Sequence, residues 1–125
     1  MGHLAADLAA KTAVRMAQAS GIAWVGVNGS NHAGAGGIYA AQIARSGLIG
    51  IYGAVAGLNH MAPAGGSEPL LGTNPLAIAI PRPGDQSLLL DIAMSAASFG
   101  AVRNAALIQA PMPVGWMVDR HTGAP

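Results

Sequence analysis

The spacing of apolar residues along this chain changes between a helical and an extended period. Leu4, Leu8 and Met16 recur on one stripe near the N-terminus. Asp7 and Lys11 lie four positions apart on the opposite side, which is the pattern of an amphipathic helix. Short apolar runs bounded by glycine or proline are instead typical of buried strands. Together these patterns predict helices over residues 4–19, 37–46 and 95–110, and strands over residues 22–27, 48–56, 76–81 and 87–93.

Turn-forming residues mark the boundaries of these elements. Gly21 and Gly47 follow the first two predicted helices, where a left-handed residue commonly ends a helix. Ser95 is positioned to cap the third helix. Residues 57–75 are dense in Gly, Pro and Asn and predict a long irregular loop, a kind of loop that is often functional. The turn at residues 82–85 joins the last two strands, and so short a connection predicts an antiparallel hairpin.

The composition narrows the class of protein. A chain of 125 residues with 9% charged residues and a net charge of +1 predicts one domain that is neither disordered nor a basic nucleic-acid binder. The longest apolar stretch, residues 47–58, is short for a membrane span, no cysteine occurs, and the N-terminus lacks the pattern of a secretory signal. We therefore expect a soluble cytoplasmic protein with no membrane or nucleic-acid partner. Alanine and glycine make up about a third of the chain, so large core side chains are scarce, and we expect an oligomer or part of something larger.

The first candidate site is the glycine-rich stretch at residues 28–37, between a predicted strand and a predicted helix. Glycines there would let backbone N–H groups approach an anion at the helix start. A Rossmann pattern counted from Gly34 fails, because Tyr39 stands where a small residue is needed and no acidic residue occurs over residues 8–67. A P-loop is excluded as well, because Lys11 is the only lysine.

His32 is the candidate acid or base of this stretch. Ser30, Asn31 and Gly34 flank it and offer donors, acceptors and close backbone approach. An imidazole in such a loop could exchange a proton with an alcohol or a carbonyl. The alternative is a loop histidine whose ring is hydrogen-bonded to backbone. His60 has fewer such polar and glycine neighbours, and a structural role fits it better.

Asp91 follows an apolar run at the end of a predicted strand, and three roles are open to it. Its carboxylate could accept a hydrogen bond from a ribose hydroxyl, pair with an imidazole, or stand at the start of a helix. A metal site is not expected, because no two histidines have helical ligand spacing and few carboxylates lie near them.

Five segments then carry a resemblance that reaches from Gly2-His3 to the end of the chain. They are SNHAG at residues 30–34, MAPAGG at 61–66, LGTNP at 71–75, LDIAMS at 90–95 and PVGW at 113–116. In this order and spacing they resemble the type-2 malate/L-lactate dehydrogenase family. One such match would be weak, whereas five in register are specific.

The resemblance implies a fold, a reaction and a set of site residues. It implies a non-Rossmann α/β mixed (α+β) domain, with a mixed sheet and about three helices, that binds NAD or NADP. The implied reaction transfers hydride between nicotinamide and a 2-hydroxy or 2-oxo acid such as malate or lactate, in a homodimer. His32 matches the family's proton acceptor. The implied cofactor contacts are Ser30, Asn31, Gly34, Gly72, Thr73, Asn74, Pro75, Leu90, Asp91 and Ile92.

The chain also departs from the family pattern. Ala56-Gly57 stands in place of a polar pair, Met94 in place of a threonine, and Ala101 in place of a lysine. The family's N-terminal SHG segment and its C-terminal YKG-type loop have no counterpart, so we expect residues 1–125 to be one central cofactor-binding segment with the flanking parts absent. The alternative is a catalytically silent binding or assembly module derived from the family. A phosphate-ester hydrolase using the His32 loop would need an acidic metal cluster that the sequence lacks.

Overall fold

A computed structural model describes residues 1–84 and 86–124, which contain three helices and one three-stranded sheet. The helices are α1 (Gly2–Ser20), α2 (Gly37–Ala44) and α3 (Phe99–Leu107), and the strands are β1 (Gly50–Gly53), β2 (Leu76–Ile80) and β3 (Leu88–Ile92). The residues form two compact units. Unit 1 consists of Met1–Gly53 with Leu76–Ile92, and unit 2 of Ala54–Pro75 with the residues from Ala93 onward. None of these helices is both long enough and apolar enough to cross a membrane.

Helix α1 packs through small residues. Its buried positions are Gly2, Ala6 and Ala10, one turn apart. The stripe of larger apolar residues that begins at Leu4 is exposed instead, because the small side chains are what allow α2 to approach closely. The helix ends as predicted at Gly21, whose φ of +84° is left-handed.

Helix α2 lies between α1 and the sheet, and its core is made almost entirely of alanine. Ala40 and Ala44 pack against Ala77 and Ala79 of β2, and all four are buried. This close approach also requires a glycine at position 50, because a Cβ there would overlap the backbone oxygen of Ala40. The scarcity of large core side chains in the composition is therefore matched by a helix and a strand that pack against each other through alanine and glycine.

The sheet has the order β1-β2-β3 and is antiparallel throughout. Gly50 pairs with Ala79, and Leu76 pairs with Ile92. The expected combination of helices and strands and the hairpin of β2 and β3 are confirmed, although the described sheet contains no parallel pair. Strand β1 is shorter than the predicted run over 48–56. Asp85, in the predicted turn, lies outside the described residues.

The strand predicted over residues 22–27 is wrong. The segment forms no β-ladder with any part of the chain that the structure describes. Ile22 is 82% exposed and Trp24 is 87% exposed. An apolar run becomes a strand only when a neighbouring strand pairs with its backbone groups and covers its side chains, and neither condition is met here.

Unit 2 contains α3 and the long loop. The start predicted at Ser95 is wrong, because Ser98 is the N-cap and its Oγ accepts a hydrogen bond from the Ala101 N–H at 3.1 Å. Ser95 Oγ donates to the Ala97 carbonyl instead, at 2.7 Å. The helix also ends earlier than predicted, since Gln109 has a φ of +53°. The loop over 57–75 is irregular as predicted, with one isolated bridge from Met61 to Leu71 among its described residues.

Candidate functional site

His32 lies in the loop that leads into α2, and its side chain is exposed. Ser30 and Asn31 beside it are exposed as well. Within residues 1–84 and 86–124, none of these three side chains has a hydrogen-bond partner. Among the described residues, the His32 ring therefore does not form the hydrogen bond to backbone that the alternative required. Three consecutive polar side chains are instead free to meet a ligand.

The backbone of this loop is held by contacts with α1 and with α2. Gly2, at the start of α1, lies so close to the carbonyl oxygens of Asn31 and His32 that a Cβ would overlap both. The Tyr39 hydroxyl donates a hydrogen bond to the Ala33 carbonyl at 2.6 Å. Tyr39 is only 4% exposed. The residues on either side of the His32 imidazole are thus anchored to the core of unit 1.

A second histidine contacts the same loop. The Nε2 atom of His3 lies 2.7 Å from the position that a Cβ of Gly34 would take, and Gly34 has a left-handed φ of +75°. A side chain at position 34 would therefore be both strained and blocked. His3 was not among the predicted site residues, and only its place in the Gly2-His3 pair, where the family resemblance begins, could have indicated it.

Asp91 stands at the start of α2 in space, although it lies on β3. The Gly37 N–H donates a hydrogen bond to Asp91 Oδ2 at 2.8 Å. A Cβ on Gly37 would lie 2.7 Å from that oxygen. Of the three predicted roles, the structure contains the one at a helix start, but the helix is α2 rather than one that follows Asp91 in the chain. Leu90 and Ile92 on either side are each 43% exposed.

Tyr52 on β1 completes the packing under the loop. Its ring centroid lies 5.3 Å from that of Tyr39, and a Cβ on Gly36 would lie 2.5 Å from its ring. Burial raises the pKa of the Tyr52 phenol, and the neighbouring Tyr39 and Asp91 raise it further because a phenolate would be repelled there. Tyr52 is therefore a neutral packing group at physiological pH.

In unit 2, the loop over Gly72–Pro75 is shaped by its own polar groups. Asn74 has a φ of +31°, and its Oδ1 accepts a hydrogen bond from the Ala56 N–H at 3.0 Å. Gly72 is buried, and a Cβ there would lie 2.7 Å from that of Ala56. The carbonyl of Pro75 accepts from the Ala54 N–H at 3.1 Å. The loop conformation is therefore fixed within unit 2.

At the three departures from the family pattern, Ala56, Met94 and Ala101 each donate a hydrogen bond through their backbone N–H. Besides Ala56, the Met94 N–H donates to the Thr73 carbonyl at 2.8 Å. The Ala101 N–H donates to Ser98 Oγ, as described for α3. Because every residue except proline has the same backbone N–H, the changed side chains leave these hydrogen bonds intact.

His60 is half-buried in unit 2 and packs against an aromatic ring. Its ring centroid lies 5.1 Å from that of Phe99. Neither Nδ1 nor Nε2 has a hydrogen-bond partner among the residues described. Both nitrogens are also shielded from solvent, so the ring is neither exposed nor paired, unlike His32.

The predicted site residues are divided between the two units. Unit 1 contains Ser30, Asn31, His32, Gly34, Leu90, Asp91 and Ile92, whereas unit 2 contains Gly72, Thr73, Asn74 and Pro75. No group of three potential metal ligands occurs in the described part of the chain. Unit 1 thus contains both the His32 loop and the Asp91 carboxylate, which accepts a hydrogen bond from the first residue of α2.

Comparison with known proteins assigns the family. A family model described as malate/L-lactate dehydrogenase matches residues 1–125. The chain belongs to the malate/L-lactate dehydrogenase family. Within this family it is 39% identical over 125 residues to a ureidoglycolate dehydrogenase (NAD(+)) of Escherichia coli O157:H7, covering 99% of this chain and 35% of that protein.

Two further family members extend the comparison. The chain is 38% identical over 107 residues to a (2R)-3-sulfolactate dehydrogenase (NADP(+)) of Chromohalobacter salexigens, covering 86% of this chain and 32% of that protein. A solved malate dehydrogenase from Entamoeba histolytica superposes with a TM-score of 0.89 and 33% identity, covering 99% of this chain and 34% of that one. The chain therefore spans about a third of the length of the relatives it matches.

Proposed function

We propose that this chain is the cofactor-binding segment of an NAD(P)-dependent dehydrogenase of 2-hydroxy acids. The relatives are named for ureidoglycolate, sulfolactate and malate, and each of these compounds bears a hydroxyl group next to a carboxylate. The observation that carries the proposal is the exposed His32 imidazole, which has no hydrogen-bond partner among the described residues and stands on a loop whose backbone is anchored on both sides. A general base needs this combination of access and fixed position.

The reaction removes two hydrogens from the 2-hydroxy acid, the carbon-bound one as a hydride and the hydroxyl one as a proton. Bound NAD(P) would supply the acceptor for the hydride that leaves the hydroxyl-bearing carbon. His32 would accept the hydroxyl proton on an imidazole nitrogen, which generates the carbonyl of the 2-oxo acid. In the reverse direction the imidazolium returns that proton. Ser30 and Asn31, exposed beside it, would hydrogen-bond the dinucleotide or orient the substrate.

The groups at the start of α2 support a dinucleotide that is bound in a non-Rossmann manner. In a Rossmann fold the pyrophosphate occupies the start of a helix. At α2 this position is taken by the Asp91 carboxylate, which accepts the Gly37 N–H and would repel a phosphate. The second carboxylate oxygen could accept from a ribose hydroxyl, and Leu90 and Ile92 offer exposed apolar surface for a ring. Gly34 would approach the cofactor through its backbone atoms.

Fluorescence titration of the chain with NADH and NADPH tests this proposal. Saturable binding of either nucleotide supports it, whereas no saturable signal with either favours a silent binding or assembly module of the same family. Asp91→Asn is the informative variant, because an asparagine oxygen can still accept from Gly37 while the charge is lost. We expect Asp91→Asn to weaken nucleotide binding by about tenfold, the effect of one hydrogen bond to a charged group. Unchanged affinity would mean that Asp91 serves α2 alone.

A further inference from the structure

Tyr39 is placed to control the loop that carries His32. It lies in the first turn of α2, and its hydroxyl reaches back to the carbonyl of Ala33, the residue after His32, at 2.6 Å. The ring is 4% exposed and packs with Ala6 and Ala10 of α1. The position of the hydroxyl is therefore set by the core of unit 1 rather than by the loop.

Apart from the close contacts of Gly2 and His3 with its backbone, the loop has little that would hold it in one conformation. Gly29 and Gly34 have φ values of +66° and +75°, and glycine loses more backbone freedom on ordering than any other residue. The polar side chains of residues 30–32 form no hydrogen bonds within the described parts of the chain. The Tyr39–Ala33 hydrogen bond is thus the side-chain hydrogen bond that fixes the loop between His32 and α2.

We propose that Tyr39 is a positioning residue for His32. The inference rests on the proposed function, because it assigns a purpose to an imidazole whose backbone is held in place. Packing against α1 and Tyr52 would be served equally well by phenylalanine, so the hydroxyl is needed only for the loop. Misplacing a catalytic group by about 1 Å can lower the rate about 10²-fold, which makes this hydrogen bond a determinant of turnover rather than of folding alone.

The chain provides a matched control for removing this hydroxyl. Tyr52 forms the other half of the aromatic pair, with ring centroids 5.3 Å apart. Its hydroxyl has no hydrogen-bond partner in residues 1–84 and 86–124. Tyr39→Phe and Tyr52→Phe therefore remove the same atom from adjacent rings of one cluster, and only the first breaks a contact with the His32 loop.

Amide hydrogen exchange and the ring NMR resonances of His32 test the proposal in the 125-residue chain. In Tyr39→Phe we expect exchange of residues 31–36 to accelerate about three- to tenfold, the range for loss of one hydrogen bond. The His32 ring resonances should shift while those of His121 stay in place. Tyr52→Phe should leave both readouts unchanged. Equal effects of the two variants, or no effect of Tyr39→Phe, would overturn the proposal.

This result is separable from failure of the proposed function. A merely structural role for Tyr39 would lower the unfolding temperature and accelerate exchange in α1 and the loop alike, without a selective shift of His32. Loss of loop protection together with nucleotide binding by the unaltered chain supports a positioning role. If the unaltered chain binds neither NADH nor NADPH, the proposed function fails, and with it the catalytic purpose of the Tyr39–Ala33 hydrogen bond. If it binds but the loop is unaffected by Tyr39→Phe, only the inference on Tyr39 fails.

Discussion

Gly37 and Asp91 are 54 positions apart in the chain, yet the Gly37 N–H donates a 2.8 Å hydrogen bond to the Asp91 carboxylate. The contact ties the start of α2 to β3, and the loop that carries His32 ends at that same helix start. A negative charge at a helix N-terminus is favourable because the helix dipole is positive there. The same charge removes this helix start as a site for phosphate.

The first prediction concerns the contribution of the Asp91 carboxylate to the free energy of unfolding. Asp91→Ala should lower the free energy of unfolding by about 1–2 kcal/mol, because it leaves the Gly37 N–H without its acceptor. Asp91→Asn should cost less, since the amide oxygen can replace one carboxylate oxygen. Urea denaturation of the two variants checks this order. Equal destabilisation by both would show that the charge, rather than the acceptor, is what stabilises α2.

Gly2 supplies the second prediction. A Cβ at this position would overlap the carbonyl oxygens of Asn31 and His32, so Gly2→Ala should cost about 1–3 kcal/mol, as is usual for overpacking. Gly26→Ala is the control, because nothing lies within 4 Å of its Cβ position and the variant should change stability by less than about 0.5 kcal/mol. Thermal unfolding of both variants is the measurement. If Gly2→Ala is as stable as Gly26→Ala, the close approach of α1 to the His32 loop is not present in solution.

A substitution at His60 should stabilise the protein. Both ring nitrogens are buried without partners in the residues described, and a buried unsatisfied polar group costs about 1–3 kcal/mol. His60→Leu should therefore raise the unfolding temperature, whereas His121→Leu, at an exposed position of the same unit, should leave it unchanged. A lower unfolding temperature for His60→Leu would mean that the imidazole makes a stabilising polar contact.

The stability of unit 1 should depend on pH in the alkaline range. The folded state raises the pKa of Tyr52, first through burial and then through Tyr39 and Asp91. The unfolded chain therefore loses this proton first as the pH rises through about 10, and stability falls there. The free energy of unfolding, measured on either side of that pH, should fall more steeply for the unaltered chain than for Tyr52→Phe. Parallel slopes would contradict the shift.

Local signals predicted those elements whose ends are determined by neighbouring residues. The left-handed Gly21 ends α1 where the sequence indicates, and the short connection between β2 and β3 specifies a hairpin. The choice between Ser95 and Ser98 as the cap of α3 was not accessible in this way. Both serines precede a helical run, and only the folded geometry brings Ser98 Oγ to the Ala101 N–H.

Long-range relationships were less accessible. The run over 22–27 has strand composition, but pairing depends on a partner strand that no local pattern supplies. The large apolar residues of α1 predict one buried stripe, whereas the residues that are buried include the alanines that fit against α2. Of the candidate site, the position of His32 on a loop was predictable, but neither the Tyr39 hydroxyl on Ala33 nor the Asp91 carboxylate on Gly37 has a signal within its own segment.

The most direct test is the turnover of a chimaera in which residues 1–125 replace the matching third of the Escherichia coli ureidoglycolate dehydrogenase. The chimaera should oxidise ureidoglycolate with a nicotinamide nucleotide. His32→Ala in it should lower kcat by about 10²- to 10⁴-fold, the usual contribution of a general base, with the nucleotide Kd nearly unchanged. A folded, nucleotide-binding chimaera that turns over equally well with and without His32 would contradict the assignment of this residue as the proton acceptor.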